Sequence, residues 1–63
     1  MRKKINESIP KHDEVIVFKC KETNFPEIGI FQIYEDGLKE IFIPANDDVE
    51  SLYNVEWWAE LPK

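Results

Sequence analysis

Histidine is the side chain most often used for acid–base chemistry, and this 63-residue chain has one, His12. It follows Pro10 and lies between Lys11 and Asp13, in a stretch whose composition predicts a turn. Catalysis needs a positioned nucleophile or a paired acid and base, and the sequence shows no such set around this residue. We therefore interpret His12 as a surface residue without a catalytic role.

Cys20 is the second candidate for chemistry, and it is the only cysteine. In a strand it would share a face with Ile16 and Phe18, where a free cysteine behaves as a small hydrophobic residue. Lys19 and Lys21 could lower its pKa, but in that strand they point to the opposite face. Since one cysteine cannot form an internal disulfide, we expect a reducing, cytoplasmic compartment.

Asp47, Asp48 and Glu50 form the densest group of carboxylates. A calcium loop needs alternating ligands, a central glycine and a distant glutamate, and this spacing lacks them. The group suits the start of a short helical turn, predicted over residues 47–54, where acidic side chains meet the positive end of the helix dipole. With no glycine-rich phosphate loop and no Cys/His zinc spacing either, we expect no metal, no cofactor and no enzymatic activity.

The tandem pair Trp57-Trp58 indicates binding rather than catalysis. Consecutive strand residues point to opposite faces, so one tryptophan can fill the core while the other needs separate cover. That cover could come from the helical turn, from the N-terminal segment or from a partner protein, because exposed aromatic residues are typical interface anchors. Simple alternation would place Trp57 in the core with Val55 and Ala59.

The elements that must position these residues are mostly strands. Four stretches combine β-branched and aromatic residues with alternating faces: residues 14–21, 28–34, 38–43 and 55–60. In the helical turn, Val49, Leu52 and Tyr53 would form one apolar stripe facing the sheet. We expect a single small domain over residues 1–63, with residues 1–4 loosely held. Its fold class is mainly β, a small antiparallel sheet of about four strands with one short helical turn.

Gly37 marks a tight hairpin between the second and third strands, because glycine adopts the left-handed conformation that such turns require. A two-residue loop would place polar side chains opposite apolar ones. A three-residue loop, residues 35–37, pairs like with like. The matching favours the longer loop, which pairs Gln32 with Glu40, Phe31 with Ile41 and Ile30 with Phe42.

The charges are unevenly distributed along the chain. Thirteen acidic and eight basic side chains give a net charge of −5, and residues 27–62 contain nine of the acids but only one base, Lys39. Nucleic-acid binding requires Lys and Arg to displace counterions, so this balance disfavours it. An acidic surface instead suits a basic protein partner, while the alternative is that it serves only solubility, as most acidic surfaces do. No apolar run approaches the roughly 18 residues of a membrane helix, and we expect no membrane contact.

Residues 5–10 (INESIP), 14–18 (EVIVF) and 55–62 (VEWWAELP) resemble a short uncharacterised family of phages and prophages. That family ends in a segment like Val-Thr-His-Trp-Met-Pro-Leu-Pro, and four positions here match it: Val55, Trp58, Leu61 and Pro62. The resemblance implies a small cytoplasmic accessory protein of a mobile element. It also implies that Trp58 is the structural tryptophan and Trp57 the surface one. A β-bulge near Glu56 would reconcile this with strand alternation.

The hypothesis that these observations favour is a non-catalytic, acidic protein-binding module. Its contact would centre on Trp57 and Tyr53, with a rim of Glu50, Glu56 and Glu60. If the chain serves a mobile element, the partner would be a host protein with a basic, nucleic-acid-binding surface, which an acidic inhibitor could occupy. The alternative is a small self-associating subunit, such as a homodimer formed through exposed sheet edges.

Overall fold

Five antiparallel strands form one sheet in the computed structural model, which describes residues 2–61. Met1, Pro62 and Lys63 lie outside the described residues. Pro62 is the last of the four positions that match the phage and prophage family. The strands are β1 (Val15–Cys20), β2 (Glu27–Ile33), β3 (Lys39–Ile43), β4 (Asp48–Ser51) and β5 (Val55–Glu60). Their order across the sheet is β4-β3-β2-β1-β5, so the last strand returns to pair with the first. The predicted mainly β fold is confirmed, with five strands in place of four.

Residues 47–54, expected as one helical turn, divide instead between β4 and a 3-10 turn, Leu52–Asn54. An earlier 3-10 turn, Pro44–Asn46, is followed by Asp47 in a left-handed conformation with φ 51°, and this reverses the chain. Aspartate tolerates that conformation better than most residues. The reversed chain then pairs with β3 along its whole length. A single helical turn is only marginally stable by itself, so the ladder hydrogen bonds prevail.

The hairpin between β2 and β3 has the predicted three-residue loop. The Tyr34 amide donates to the Leu38 carbonyl oxygen at 2.8 Å, and Gly37 has a φ of 88°. The residue pairs beyond it are Gln32 with Glu40, Phe31 with Ile41 and Ile30 with Phe42. Both the register and the left-handed glycine are therefore confirmed.

The hydrophobic core lies on one face of the sheet, which we call the inner face. Its buried cluster consists of Ile16, Phe18, Cys20, Phe31, Ile41, Ile43, Val55 and Trp58. Ile5 of the N-terminal segment and Leu52 of the second 3-10 turn pack against this cluster. These two segments cover a sheet that would otherwise expose both faces.

Gly29 allows the core to close over the centre of β2. A Cβ atom at this position would overlap the Ile41 side chain and lie 2.9 Å from Cε1 of Phe18. The absence of a side chain therefore permits two fully buried residues to pack directly against the β2 backbone. A glycine inside a strand pattern often signals such a close approach, although our sequence analysis did not single it out.

A β-bulge in β5 decides which tryptophan enters the core. Lys19 lies opposite Trp57, whereas the next β1 residue, Cys20, lies opposite Val55, so Glu56 is the extra residue. Both Val55 and Trp58 therefore face inward, despite their odd spacing. The bulge expected near Glu56 is confirmed. So is the order of burial, since Trp58 is only 2% exposed and Trp57 is half-buried.

The N-terminal segment is tied to β5 rather than being loosely held at Lys3. Lys3 exchanges two backbone hydrogen bonds with Trp58, of 2.7 and 2.8 Å. The indole N–H of Trp58 donates to the carbonyl oxygen of Ser8 at 2.9 Å, so this buried donor is satisfied. These bonds also occupy part of the β5 edge, which would otherwise be open to pairing with another chain.

Candidate protein-binding surfaces

Trp57, the predicted centre of the contact, lies on the outer face of the sheet opposite Lys19. Its ring is covered by the Arg2 guanidinium, whose Cζ atom lies 4.4 Å from the ring centroid. A cation over an aromatic ring is attracted by the ring's electron density. The predicted anchor is therefore half-covered by the chain's own N-terminal segment.

Glu56 and Glu60, two of the three predicted rim carboxylates, each lie beside a lysine. Lys19 Nζ is 3.3 Å from a Glu56 carboxylate oxygen, and Lys3 Nζ is 3.0 Å from one of Glu60. Both pairs are partly exposed, so each contributes little to stability. They nevertheless offset the negative charge that was expected of these two rim residues.

Glu50, the third rim residue, lies on the inner face, as does Glu60, which pairs with Ile16 across β1 and β5. Glu50 pairs with Ile41 across β3 and β4, on the inner side of the sheet, and accepts a hydrogen bond from Asn54 Nδ2 at 2.7 Å. Because Trp57 occupies the outer face, the structure does not bring Glu50 and Trp57 together. The predicted acidic rim is thus divided between two faces of the sheet.

Cys20 is buried among apolar side chains, as its strand position predicted. Burial, together with the negative charges of Glu50, Glu27 and Glu22, raises the pKa of its thiol to about 11. A thiol with a raised pKa carries little nucleophilic thiolate at neutral pH. Cys20 is therefore a structural residue.

His12 also has a structural contact. Its Nδ1 atom accepts a hydrogen bond from the Ile33 amide at 3.0 Å, at the end of β2. Within residues 2–61, no three His, Cys, Asp or Glu side chains are placed to hold a metal ion. In the same range, no helix combines the length and apolar character needed to cross a bilayer.

Tyr53 is the most exposed large hydrophobic side chain in residues 2–61, at 88%. It lies on the second 3-10 turn, where its amide donates to the Ser51 hydroxyl at 3.3 Å. This cap holds the backbone of the turn while the phenol ring projects into solvent. Of the two predicted aromatic site residues, Tyr53 is therefore the more exposed.

Two shallow depressions flank Tyr53 and share Ile5 and Leu52 as lining residues. The first also contains Leu38 of the hairpin, which is 52% exposed, and the second contains Val55. We call these residues together the Tyr53 surface: Ile5, Leu38, Leu52, Tyr53 and Val55. Its apolar character arises from three segments that are distant in sequence, so no local motif could have revealed it.

Lysines border the Tyr53 surface. Lys39 lines the first depression, and Lys4 and Lys21 line the second. Within the described part of the chain, none of the three forms a salt bridge. The second depression also contains Glu56, but that carboxylate is already paired with Lys19. The charged side chains that line the two depressions are therefore mainly basic, although the net charge of the protein is −5.

The outer face of the sheet carries a second apolar surface. Directly paired strand residues lie on the same face, so the β-ladders place seven apolar side chains there besides Trp57: Val15, Val17, Ile28, Ile30, Phe42, Val49 and Ala59. The three most exposed of them are between 43 and 56% exposed. Apolar residues at both alternating positions of β1 and β2 are a sequence signal for strands that need cover on two faces.

No family model, no curated protein and no solved structure matches this chain. The fold and its surfaces define a class: a small, mainly β protein with two exposed apolar surfaces, one of them centred on an aromatic side chain. Its function must therefore be argued from those surfaces. The resemblance of its two ends to the phage and prophage family stays a prediction.

Proposed function

We propose that this protein is a non-catalytic protein-binding module whose contact centres on Tyr53. The observation that supports the proposal is the 88% exposure of Tyr53 on a capped turn, between two apolar depressions. Tyrosine buries a large area on binding while losing little conformational freedom. Aromatic residues in the middle of an apolar patch are the side chains that most often dominate binding energy.

Trp57 keeps a place in this proposal as a flanking residue. Lys4 and Glu56 line both the depression beside Tyr53 and a further depression beside Trp57, so the two aromatic residues border adjacent surfaces. A partner that displaces the Arg2 side chain could contact both rings. If the chain serves a mobile element, as the resemblance implies, this partner is a host protein.

Site-specific photo-crosslinking tests the proposal in cells of the host organism. A benzophenone amino acid at position 53 should give discrete crosslinked products with one or a few proteins, because this side chain would lie inside the contact. The same amino acid at Phe25 is the control, since Phe25 is also well exposed, at 60%, but lies on the β1–β2 connection. Equal products from both positions, or none from position 53, would refute the proposal.

A second candidate function, a self-associating subunit, is favoured by the outer face of the sheet. Val49, Phe42, Ile30 and Val15 form an apolar row across four strands that no charged side chain interrupts. Two copies could pack such faces together around a two-fold axis, as aligned sheets do. The uncharged row would let them approach despite the net charge of each copy.

Sedimentation equilibrium at micromolar concentration tests this second candidate. We expect Ile28→Lys, which places a charge on the outer face, to convert a dimer into a monomer. Leu38→Lys is the matched control, because Leu38 has similar exposure but belongs to the Tyr53 surface. A wild-type protein that is monomeric throughout would exclude self-association as the function.

A further inference from the structure

We infer that the Tyr53 surface binds an acidic protein segment, in which carboxylates flank apolar side chains. The inference rests on the proposed function and names the chemical class of its partner. It differs from the expectation based on overall composition, which favoured a basic partner. The reason is that the charges next to Tyr53 differ in sign from the net charge of the chain.

The basic residues differ in whether they have a partner within the protein. Lys3 and Lys19 form salt bridges with carboxylates, and Arg2 lies over Trp57. The three lysines bordering the Tyr53 surface, Lys4, Lys21 and Lys39, form none within residues 2–61. The chain has thirteen acidic side chains for eight basic ones, so carboxylate partners are in excess. Of the four described lysines without such a partner, three therefore border the most exposed aromatic side chain, and the fourth, Lys11, lies elsewhere.

Glu56, which lines the surface, and two carboxylates close in sequence to its residues already have polar partners. Glu56 is paired with Lys19, and Asp36 at the hairpin accepts a hydrogen bond from the Leu38 amide at 3.0 Å. Glu50 accepts one from Asn54. A carboxylate approaching the surface from a partner therefore meets three ammonium groups without carboxylate partners, and the one carboxylate that lines the depressions, Glu56, is already paired with Lys19.

The arrangement has the usual anatomy of a protein interface, with an apolar centre and a polar rim. The depressions on the two sides of Tyr53 would each receive an apolar side chain, and the lysines would meet carboxylates around them. Lys39 also donates to the Gly37 carbonyl oxygen at 3.2 Å, which holds its ammonium group near the first depression. Rim charges of this kind accelerate encounter and select partners by sign.

The experiment begins with selection of short random peptides displayed on a carrier against the wild-type protein. The enriched peptides should contain Asp and Glu beside Leu, Ile or Phe. Their synthetic, fluorescent forms should bind more weakly at high than at low salt, because exposed charges are screened. Enrichment of Lys and Arg instead would overturn the inference.

Charge variants then locate the contact. Lys21→Gln and Lys11→Gln have the same net charge, but only Lys21 borders the Tyr53 surface. Lys21→Gln should weaken peptide binding about 2- to 5-fold, and Lys4→Gln/Lys21→Gln/Lys39→Gln about tenfold or more, as exposed charge pairs are individually weak. Lys11→Gln should leave binding unchanged. Equal effects of Lys21→Gln and Lys11→Gln would contradict a local role of the lysines.

Tyr53→Ala separates failure of this inference from failure of the proposed function. It should weaken binding roughly 30-fold, as loss of an interface anchor does. If it does so while the lysine variants and salt have no effect, the binding module stands and the acidic partner is refuted. If neither Tyr53→Ala nor the lysine variants matter, both proposals fail. Binding of a fluorescent oligothymidylate that requires the three lysines would show a phosphate-binding surface and also overturn the inference.

Discussion

The inner and outer faces of the sheet are similarly apolar, yet they differ in what covers them. Ile5 and Leu52 pack on the inner face, where Ile16 is completely buried. On the outer face, the comparable β2 residue Ile28 remains 56% exposed. The comparison teaches that the hydrophobicity of a strand does not identify the core of a small sheet protein. The core is the face that the connecting segments reach.

The two tryptophans test this difference most strongly. Trp58→Ala removes an inner-face side chain that is 2% exposed and should cost roughly 3–5 kcal/mol. That approaches the whole stability of a domain of this size, so the variant should be largely unfolded. Trp57→Ala on the outer face should cost about 1 kcal/mol or less. Denaturant unfolding followed by circular dichroism measures both.

Fluorescence provides an independent check on the same pair. In single-tryptophan variants, acrylamide should quench the half-buried Trp57 more efficiently than the buried Trp58. The reverse order would mean that the Glu56 bulge is absent and that Trp57 faces inward.

The effect of pH on stability provides a further test of the inner face, because Cys20 is buried there. An unfolded thiol loses its proton near the ordinary pKa of 9.0, whereas burial and, to a smaller extent, nearby carboxylates raise the pKa in the folded protein to about 11. The stability associated with the neutral thiol is therefore fully present below pH 9 and is lost as the pH rises toward 11. The resulting decrease in the free energy of unfolding should approach ~3 kcal/mol.

The matched variant for this prediction is Cys20→Ala, which retains all other groups that titrate at alkaline pH. The free energy of unfolding should fall more steeply for the wild type than for the variant between pH 9 and 11. Parallel curves would show that the thiol is not held in an apolar environment.

Gly29→Ala tests how closely the inner face is packed. The added methyl group would meet the Ile41 side chain and Phe18, so we expect a loss of about 1–3 kcal/mol, as for other overpacked cores. Thermal unfolding measures the effect. An unchanged or higher melting temperature would mean that the two core side chains move aside without strain.

The smallest expected effect concerns the outer face. Ile28→Ala should change the stability of the monomer by less than ~1 kcal/mol, because much of its side chain stays in water. Ile16→Ala, the same substitution on the inner face, should cost ~2–4 kcal/mol. Comparable losses from both variants would show that the outer face is covered in solution, which would support the self-association candidate.

Predictions that depended on residues close together in the sequence were accurate, whereas those that depended on contacts between distant segments were incomplete. The hairpin at Gly37 was predicted in full, because its register depends on the few residues on either side of the turn. The helical interpretation of residues 47–54 held only for Leu52–Asn54, because β4 forms by pairing with a strand already in place. The Tyr53 surface was anticipated only in Tyr53 itself. Its apolar partners Ile5 and Leu38 come from segments far away in the chain.

The sequence by itself determined the mainly β fold, the inward positions of Ile16 and Phe18, and the hairpin, since strand alternation and turn chemistry are local. Only the tertiary structure decided how charge is distributed over the surface. The partners of Glu60 and Glu56, Lys3 and Lys19, lie 57 and 37 residues away. A net charge counts every group equally, whereas the field near a binding surface depends on which of those groups are already paired.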